Sequence, residues 1–175
     1  MGKSHVDNSG AEVSVLGTAS RRWFGGVPLT YGAGGRVEGR MTLSPHFLLD
    51  GSVGARHLHY NAARYGSYTG PVISTNSTLT YAPDFESSVR ANVGYARDLT
   101  AVSAFRNSQN AGGLGYYREN LPLKFAVYGG VQAAFIKYDA LLGAFGAIRS
   151  DVAMDYWVTL SNTQFTIGGF TLTLS

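Results

Sequence analysis

Polar and apolar residues alternate along much of the chain, most clearly in RVEGRMTLSPHFLLDGSVGAR at residues 36–56. Residues two apart in a β-strand lie on the same face, so this stretch predicts two strands joined at a proline turn. One face collects the polar positions Arg36, Glu38, Arg40, Asp50, Ser52 and Arg56. The other face collects Val37, Gly39, Met41, Leu49, Val53 and Ala55.

Two environments suit a sheet with one polar and one apolar face. A soluble sandwich or barrel packs the apolar face into a core, whereas a transmembrane barrel turns it toward lipid and lines its lumen with the polar face. The spacing of the turns and the lengths of the strands and loops have to distinguish the soluble protein from the transmembrane barrel.

Turn signals recur along the chain with a regular period. Tight polar turns centred near positions 8, 45, 83, 122 and 162 repeat about every 39 residues, and looser segments near Gly25, Tyr65, Arg106 and Phe145 alternate with them. Short turns at one rim and longer loops at the other are typical of a transmembrane barrel. The pattern predicts nine strands, at about 12–24, 28–43, 46–60, 70–82, 85–99, 110–120, 123–138, 151–161 and 164–175.

The strands predicted at 85–99 and 151–161 show the alternation most cleanly. In the first, Val89 and Val93 share a face opposite Arg90 and Asn92, and in the second an apolar face lies opposite Asp155. Aromatic residues fall toward the ends of the apolar faces, as in the belts at membrane interfaces. Long strands, alternating loop lengths and these aromatics favour the membrane barrel over the soluble one.

Composition supports a strand-rich protein. Glycine contributes 23 of 175 residues and charged residues only 14%, against averages of about 7% and about 25%. The net charge is +3 with scattered basic residues, which argues against nucleic acid as a partner. The chain has no cysteine, so zinc ribbons, thiol redox chemistry and disulfide frameworks are excluded. No apolar run is long enough for a membrane-spanning helix, and the start MGKSHVDNSG lacks the apolar segment of a signal peptide.

Three segments resemble the C-terminal barrel of the surface lipoprotein assembly modifier family: residues 20–26 (SRRWFGG), 141–151 (LLGAFGAIRSD) and 165–171 (FTIGGFT). The resemblance implies a fourteen-stranded outer-membrane barrel behind a periplasmic helical-repeat domain. It also implies delivery of lipoproteins to the surface of a Gram-negative bacterium, with the lipid bilayer, lipoprotein cargo and the barrel assembly machinery as partners.

The chain departs from that family in three respects. It has no helical-repeat domain, lacks the strands expected before its first turn, and ends without a terminal aromatic residue. Nine strands would also leave an unpaired edge, whereas bacterial single-chain barrels have even strand numbers. We therefore expect residues 1–175 to form a single all-β, antiparallel, up-and-down barrel segment with further strands beyond both ends. A small closed barrel of eight to ten strands, acting as a pore or structural protein, and a soluble ligand-binding barrel remain alternatives.

The candidate site residues are polar positions expected to face a barrel lumen: Arg36, Glu38, Arg40, Arg56, Glu86, Arg90 and Asp155. Paired charges that order a wet interior are their expected role. His57 and His59, with His46 and Asp50, raise the possibility of a metal site, but no third ligand is fixed by the sequence. No Gly-x-Ser-x-Gly element or phosphate-binding loop is present. We predict no catalytic residues, no cofactor, no metal and no enzymatic activity.

Overall fold

The computed structural model describes residues 2–6, 10–24, 26–61, 66, 68–142, 146–167 and 170–174. They form ten antiparallel strands and two short 3-10 helices, Ser103–Phe105 and Pro122–Lys124. The strands are β1 (Gly2–Val6), β2 (Ala11–Phe24), β3 (Val27–Ser44), β4 (Phe47–Tyr60), β5 (Gly70–Tyr81), β6 (Ser87–Asp98), β7 (Asn107–Leu121), β8 (Phe125–Leu142), β9 (Ala147–Ile167) and β10 (Phe170–Leu174).

The strands form one up-and-down sheet in chain order. Eight long strands of 12 to 21 residues, β2 to β9, make up its body. The five-residue strands β1 and β10 lie at its two edges. Within the described residues β1 pairs with β2 alone and β10 with β9 alone, so the sheet is open. The all-β, antiparallel, up-and-down prediction is thus confirmed, while barrel closure stays a prediction.

Several predicted boundaries are wrong. The turn predicted at Ser161–Thr163 does not exist, because β9 continues to Ile167 and pairs there with β10. A strand at residues 2–6 was not predicted. Much of the looser segment predicted between 138 and 151 is strand, since β8 reaches Leu142 and β9 begins at Ala147. The predicted centres Asn8, Gly25, Tyr65 and Phe145 lie outside the described residues.

The hairpin of residues 36–56 has the two faces that the alternation predicts. Arg40 lies opposite Asp50 and Glu38 opposite Ser52, while Val37 lies opposite Val53 on the other face. The turn at Pro45 fixes this pairing. The pairing matters because a shift of one residue would move every side chain to the opposite face.

The apolar face of the sheet is more exposed than the polar face, which is the reverse of the usual arrangement in soluble proteins. In β6 and β7 most polar-face residues are half-buried, while Val93, Leu114 and Tyr116 on the apolar face are exposed. This difference indicates that the sheet curves with its polar face inward. Among the described residues, Ala134 is the only buried hydrophobic side chain. The described sheet therefore has no apolar core, and its hydrophobic surface points outward.

The connections fall at two ends of the sheet. We call the end with residues 45–46, 82–86 and 122–124 the turn end, and the end with residues 61–69 and 99–106 the loop end. The predicted alternation holds for these two loops, whereas the two other connections at the loop end, between β2 and β3 and between β8 and β9, are short. Among the described residues, no helix has both the length and the hydrophobicity to cross a membrane.

Candidate functional site

A charged depression on the polar face is the best-defined candidate site. It has a volume of about 370 Å³ and lies across β2 to β5. Its charged side chains are Glu12, Arg36, Glu38, Arg40 and Asp50, with Ser14, Ser52 and Asn76 beside them. They share one face because each occupies an alternate position on its strand and the register keeps alternate positions aligned.

Two ion pairs organise this depression. Arg40 Nε donates to Asp50 Oδ1 across β3 and β4 at 2.7 Å. Arg36 Nη2 lies 2.7 Å from Glu38 Oε1, two residues along the same strand. The four side chains are between 34% and 59% exposed, so water reaches them. The arrangement is a hydrated surface of paired charges.

Six of the seven predicted site residues share the polar face. Arg36, Glu38 and Arg40 line the depression, while the other three lie elsewhere on that face, Arg56 on β4, Arg90 on β6 and Asp155 on β9.

Glu86 differs from the other six. It lies in the bend before β6, and its Oε1 accepts a hydrogen bond from Asn120 Nδ2 at 2.9 Å. Its backbone oxygen also accepts from the N–H of Glu119. Glu86 therefore joins the connection before β6 to the end of β7 at the turn end.

Segment 99–106 covers the polar face at the loop end. Thr100 is 2% exposed, and the 3-10 helix Ser103–Phe105 contacts β8. Arg106 Nε donates to the carbonyl of Thr100 at 2.9 Å, and Asp139 N–H donates to the carbonyl of Arg106 at 3.0 Å. These bonds hold the segment against the sheet.

Aromatic side chains support this loop end. The ring of Phe105 lies 4.5 Å from that of Tyr68, which lies 6.0 Å from that of Tyr60. A small cavity of about 140 Å³ remains between Phe105, Asp98 and Tyr138. The segment thus narrows the space over the polar face.

The turn end is held by local hydrogen bonds. Asp84 Oδ1 accepts bonds from Glu86 N, Ser87 N and Ser87 Oγ at 2.7 to 2.9 Å. The Ser87 hydroxyl, followed by the Glu86 N–H, lowers the pKa of Asp84 below its ordinary value, because both bonds favour the charged carboxylate. His46 accepts a backbone bond from Ala82 N, and its Nδ1 lies 3.0 Å from Ala82 O.

The histidines are divided between the two ends. His57 and His59 lie on the apolar face near the loop end, whereas His46 lies in a turn at the opposite end. Among the described residues, no group of three or more His, Asp or Glu side chains has metal-binding geometry.

Sequence reasoning missed two parts of this surface. Glu12 was not recognised as a member of the charged cluster, although its even position in β2 carries that signal. The inward segment 99–106 was treated as an ordinary loop, although Leu99 and Phe105 are more apolar than an exposed loop requires.

Comparisons of the chain with protein-family models, with curated proteins and with solved structures gave no match.

Proposed function

We propose that this chain forms the wall of an outer-membrane β-barrel in a Gram-negative bacterium, with its polar face lining an aqueous lumen. The single observation that carries the proposal is the inverted distribution of hydrophobic side chains. Val53, Val93, Met154, Tyr156 and Val158 are between 57% and 86% exposed, although hydrophobic residues are normally buried in soluble proteins. Lipid is the environment in which such a face is favourable.

Strand length agrees with this proposal. A membrane strand tilted at about 45° needs about 9–11 residues, and each of β2 to β9 has at least 12. On the apolar face the ring centres of Phe47 and Tyr81 lie 4.8 Å apart near the turn end, and Trp23 and Tyr31 lie near the loop end. Aromatic side chains at both ends suit the two membrane interfaces.

The open edges set a further requirement. A strand edge in lipid leaves backbone N–H and C=O groups without partners, at a cost of several kcal/mol for each group. The outer edges of β1 and β10 must therefore pair with each other or with other strands in the assembled barrel.

Membrane insertion and closure can be tested together. The purified chain should float with phosphatidylcholine vesicles in a density gradient, and it should migrate differently in SDS gels before and after boiling, as closed barrels do. Recovery of a detergent-free monomer in the soluble fraction would overturn the proposal. A disulfide between cysteines placed in β1 and β10 would show that the chain closes on itself.

The resemblance adds a finer proposal, namely that the barrel delivers lipoproteins to the cell surface. The hydrated, charged polar face is suited to a polypeptide that passes without binding tightly. Antibody labelling of a surface lipoprotein on intact cells should fall when this protein is deleted, while total lipoprotein stays constant. Unchanged labelling would reject delivery and leave the barrel proposal intact.

A small pore is the second candidate, and the strand count favours it. Ten strands fall within the range of eight to ten expected for a small closed barrel. Planar-bilayer recordings should then show discrete conductance steps that depend on Arg36 and Arg40. A closed barrel without conductance would reject this candidate.

A further inference from the structure

A basic and aromatic row crosses the apolar face near the loop end. Arg21 on β2, Tyr31 on β3 and His59 on β4 lie directly opposite one another. The Arg21 guanidinium carbon is 5.0 Å from the centre of the Trp23 ring and 4.9 Å from that of Tyr31. These aromatic contacts hold a cation on an otherwise apolar surface.

Arg21 is an arginine of the sheet that forms no ion pair within the described residues. By contrast, Arg36 pairs with Glu38, Arg40 with Asp50, Arg97 with Asp139 and Arg149 with Asp151. In the described part of the chain, Arg21 has no carboxylate within ion-pair distance. Its guanidinium N–H groups are therefore available to an external anion, and His57 and His59 add further donors beside it.

A trough of small side chains runs from this row toward the middle of the sheet. The next row contains Ala19 and Ala33, and the row after it contains Gly17, Gly35 and Ala55. A Cβ at Gly17 would meet no atom within 4 Å. The row beyond the trough contains the larger side chains of Val15, Val37 and Val53. The part of the trough nearest the loop end forms a shallow depression of about 490 Å³.

We propose that this surface binds a membrane lipid with a phosphorylated, anionic head group. Arg21, His57 and His59 would contact the phosphate, and one acyl chain would lie along the glycine and alanine trough. Charge complementarity selects the head group, and the apolar trough selects an amphiphile over a free anion. This inference rests on the proposal that the apolar face is embedded in lipid.

The test uses the full chain in phosphatidylcholine vesicles that carry trace spin-labelled lipid. The spectrum gives the fraction of label whose motion is restricted by the protein. The relative association constant derived from it should be about fivefold higher for phosphatidylglycerol than for phosphatidylcholine, because one cation near an anionic head group has an effect of this size. Arg21→Gln should reduce this preference to near unity. Arg22→Gln is the matched control, because Arg22 is the next residue and lies on the polar face, and it should leave the preference unchanged.

A second pair of variants tests the trough. Gly35→Val adds a side chain within the trough, where the new Cβ makes only an ordinary contact, and it should lower the restricted phosphatidylglycerol at least twofold. Gly39→Val adds the same side chain on the same strand and face but nearer the turn end, and it should have no effect.

The outcomes separate this inference from the barrel proposal. Failure of the unmodified chain to float with phosphatidylcholine would reject the barrel proposal. Flotation with equal restriction of the two lipids, or equal effects of Arg21→Gln and Arg22→Gln, would overturn the lipid site alone. A free-anion site would give two results. Inorganic phosphate would abolish the preference for phosphatidylglycerol while sodium chloride of equal ionic strength would not, and Gly35→Val would not change the restricted fraction. Both results together would overturn the lipid assignment.

Discussion

Arg40 and Asp50 face each other directly across β3 and β4, with Arg40 Nε 2.7 Å from Asp50 Oδ1. Because the two side chains touch, the even-numbered residues of both strands lie on the same face of the sheet. The contact also explains how a strongly polar surface forms without buried charge, since both side chains keep access to water.

The exposure of this pair limits what it contributes to stability. A double-mutant cycle with Arg40→Ala and Asp50→Ala should give a coupling energy of about 0.2–1 kcal/mol, because an exposed ion pair is weakened by water. Urea unfolding in lipid vesicles at low and high salt would measure it, with a smaller coupling expected at high salt. A coupling energy above this range that salt does not reduce would contradict the hydrated surface.

Val53 and Ser52 are adjacent in β4 but lie on opposite faces, and Val53 is 57% exposed. If the apolar face contacts lipid, Val53→Arg should cost about 2–4 kcal/mol of unfolding free energy near the bilayer midplane. Ser52→Arg, beside Glu38 on the polar face, should cost about 0.5 kcal/mol or less. Unfolding in vesicles measures both variants, and equal costs would count against a lipid-facing surface.

Asp84 should make the stability of the turn end depend on pH. Its pKa is lowered in the folded protein from an ordinary value of 3.8. The stabilisation is therefore complete above the unfolded-state pKa and is lost as the pH falls through the lower folded-state pKa. Unfolding midpoints of the unmodified protein and Asp84→Asn should differ near neutral pH and converge in acid. A difference that stays constant with pH would show that the carboxylate charge plays no part.

Gly70 lets segment 99–106 approach the sheet. A Cβ at this position would overlap the carbonyl oxygen of Leu99 and lie 2.8 Å from the Cα of Thr100. Because both contacts are with backbone, Gly70→Ala should cost about 1–3 kcal/mol, and limited proteolysis should cut the segment faster. Gly66→Ala is the control, since its Cβ would meet nothing within 4 Å. Equal proteolysis of the two variants would contradict close packing at Gly70.

The alternation of residue types was sufficient to predict β2 to β6 to within about two residues at each end. Around Arg40 and Asp50 it indicated which residues share a face, and the Pro45 turn fixed the register, because strand geometry repeats every two residues. The same alternation grouped Arg56, Arg90 and Asp155 correctly, although they are far apart in the chain.

One error arose where a polar residue does not mark a turn. Asn162 suggested a connection, yet it lies within β9, where it is 1% exposed and its Nδ2 donates to the carbonyl of Leu123 at 2.7 Å. Its partner is 39 residues away, so no local pattern could indicate that a polar residue here is buried and satisfied.

The sequence by itself determined the strand-rich class, the two chemically different faces and the pairing of neighbouring strands, because these depend on side-chain period and local turns. Only the tertiary structure decided that the apolar face is the exposed one and that Phe105 packs inward beside Tyr68. It also decided that Arg21 has no carboxylate partner among the described residues and lies beside a trough of small residues. These features depend on the curvature of the whole sheet and on contacts between side chains distant in the chain, which residue order alone does not specify.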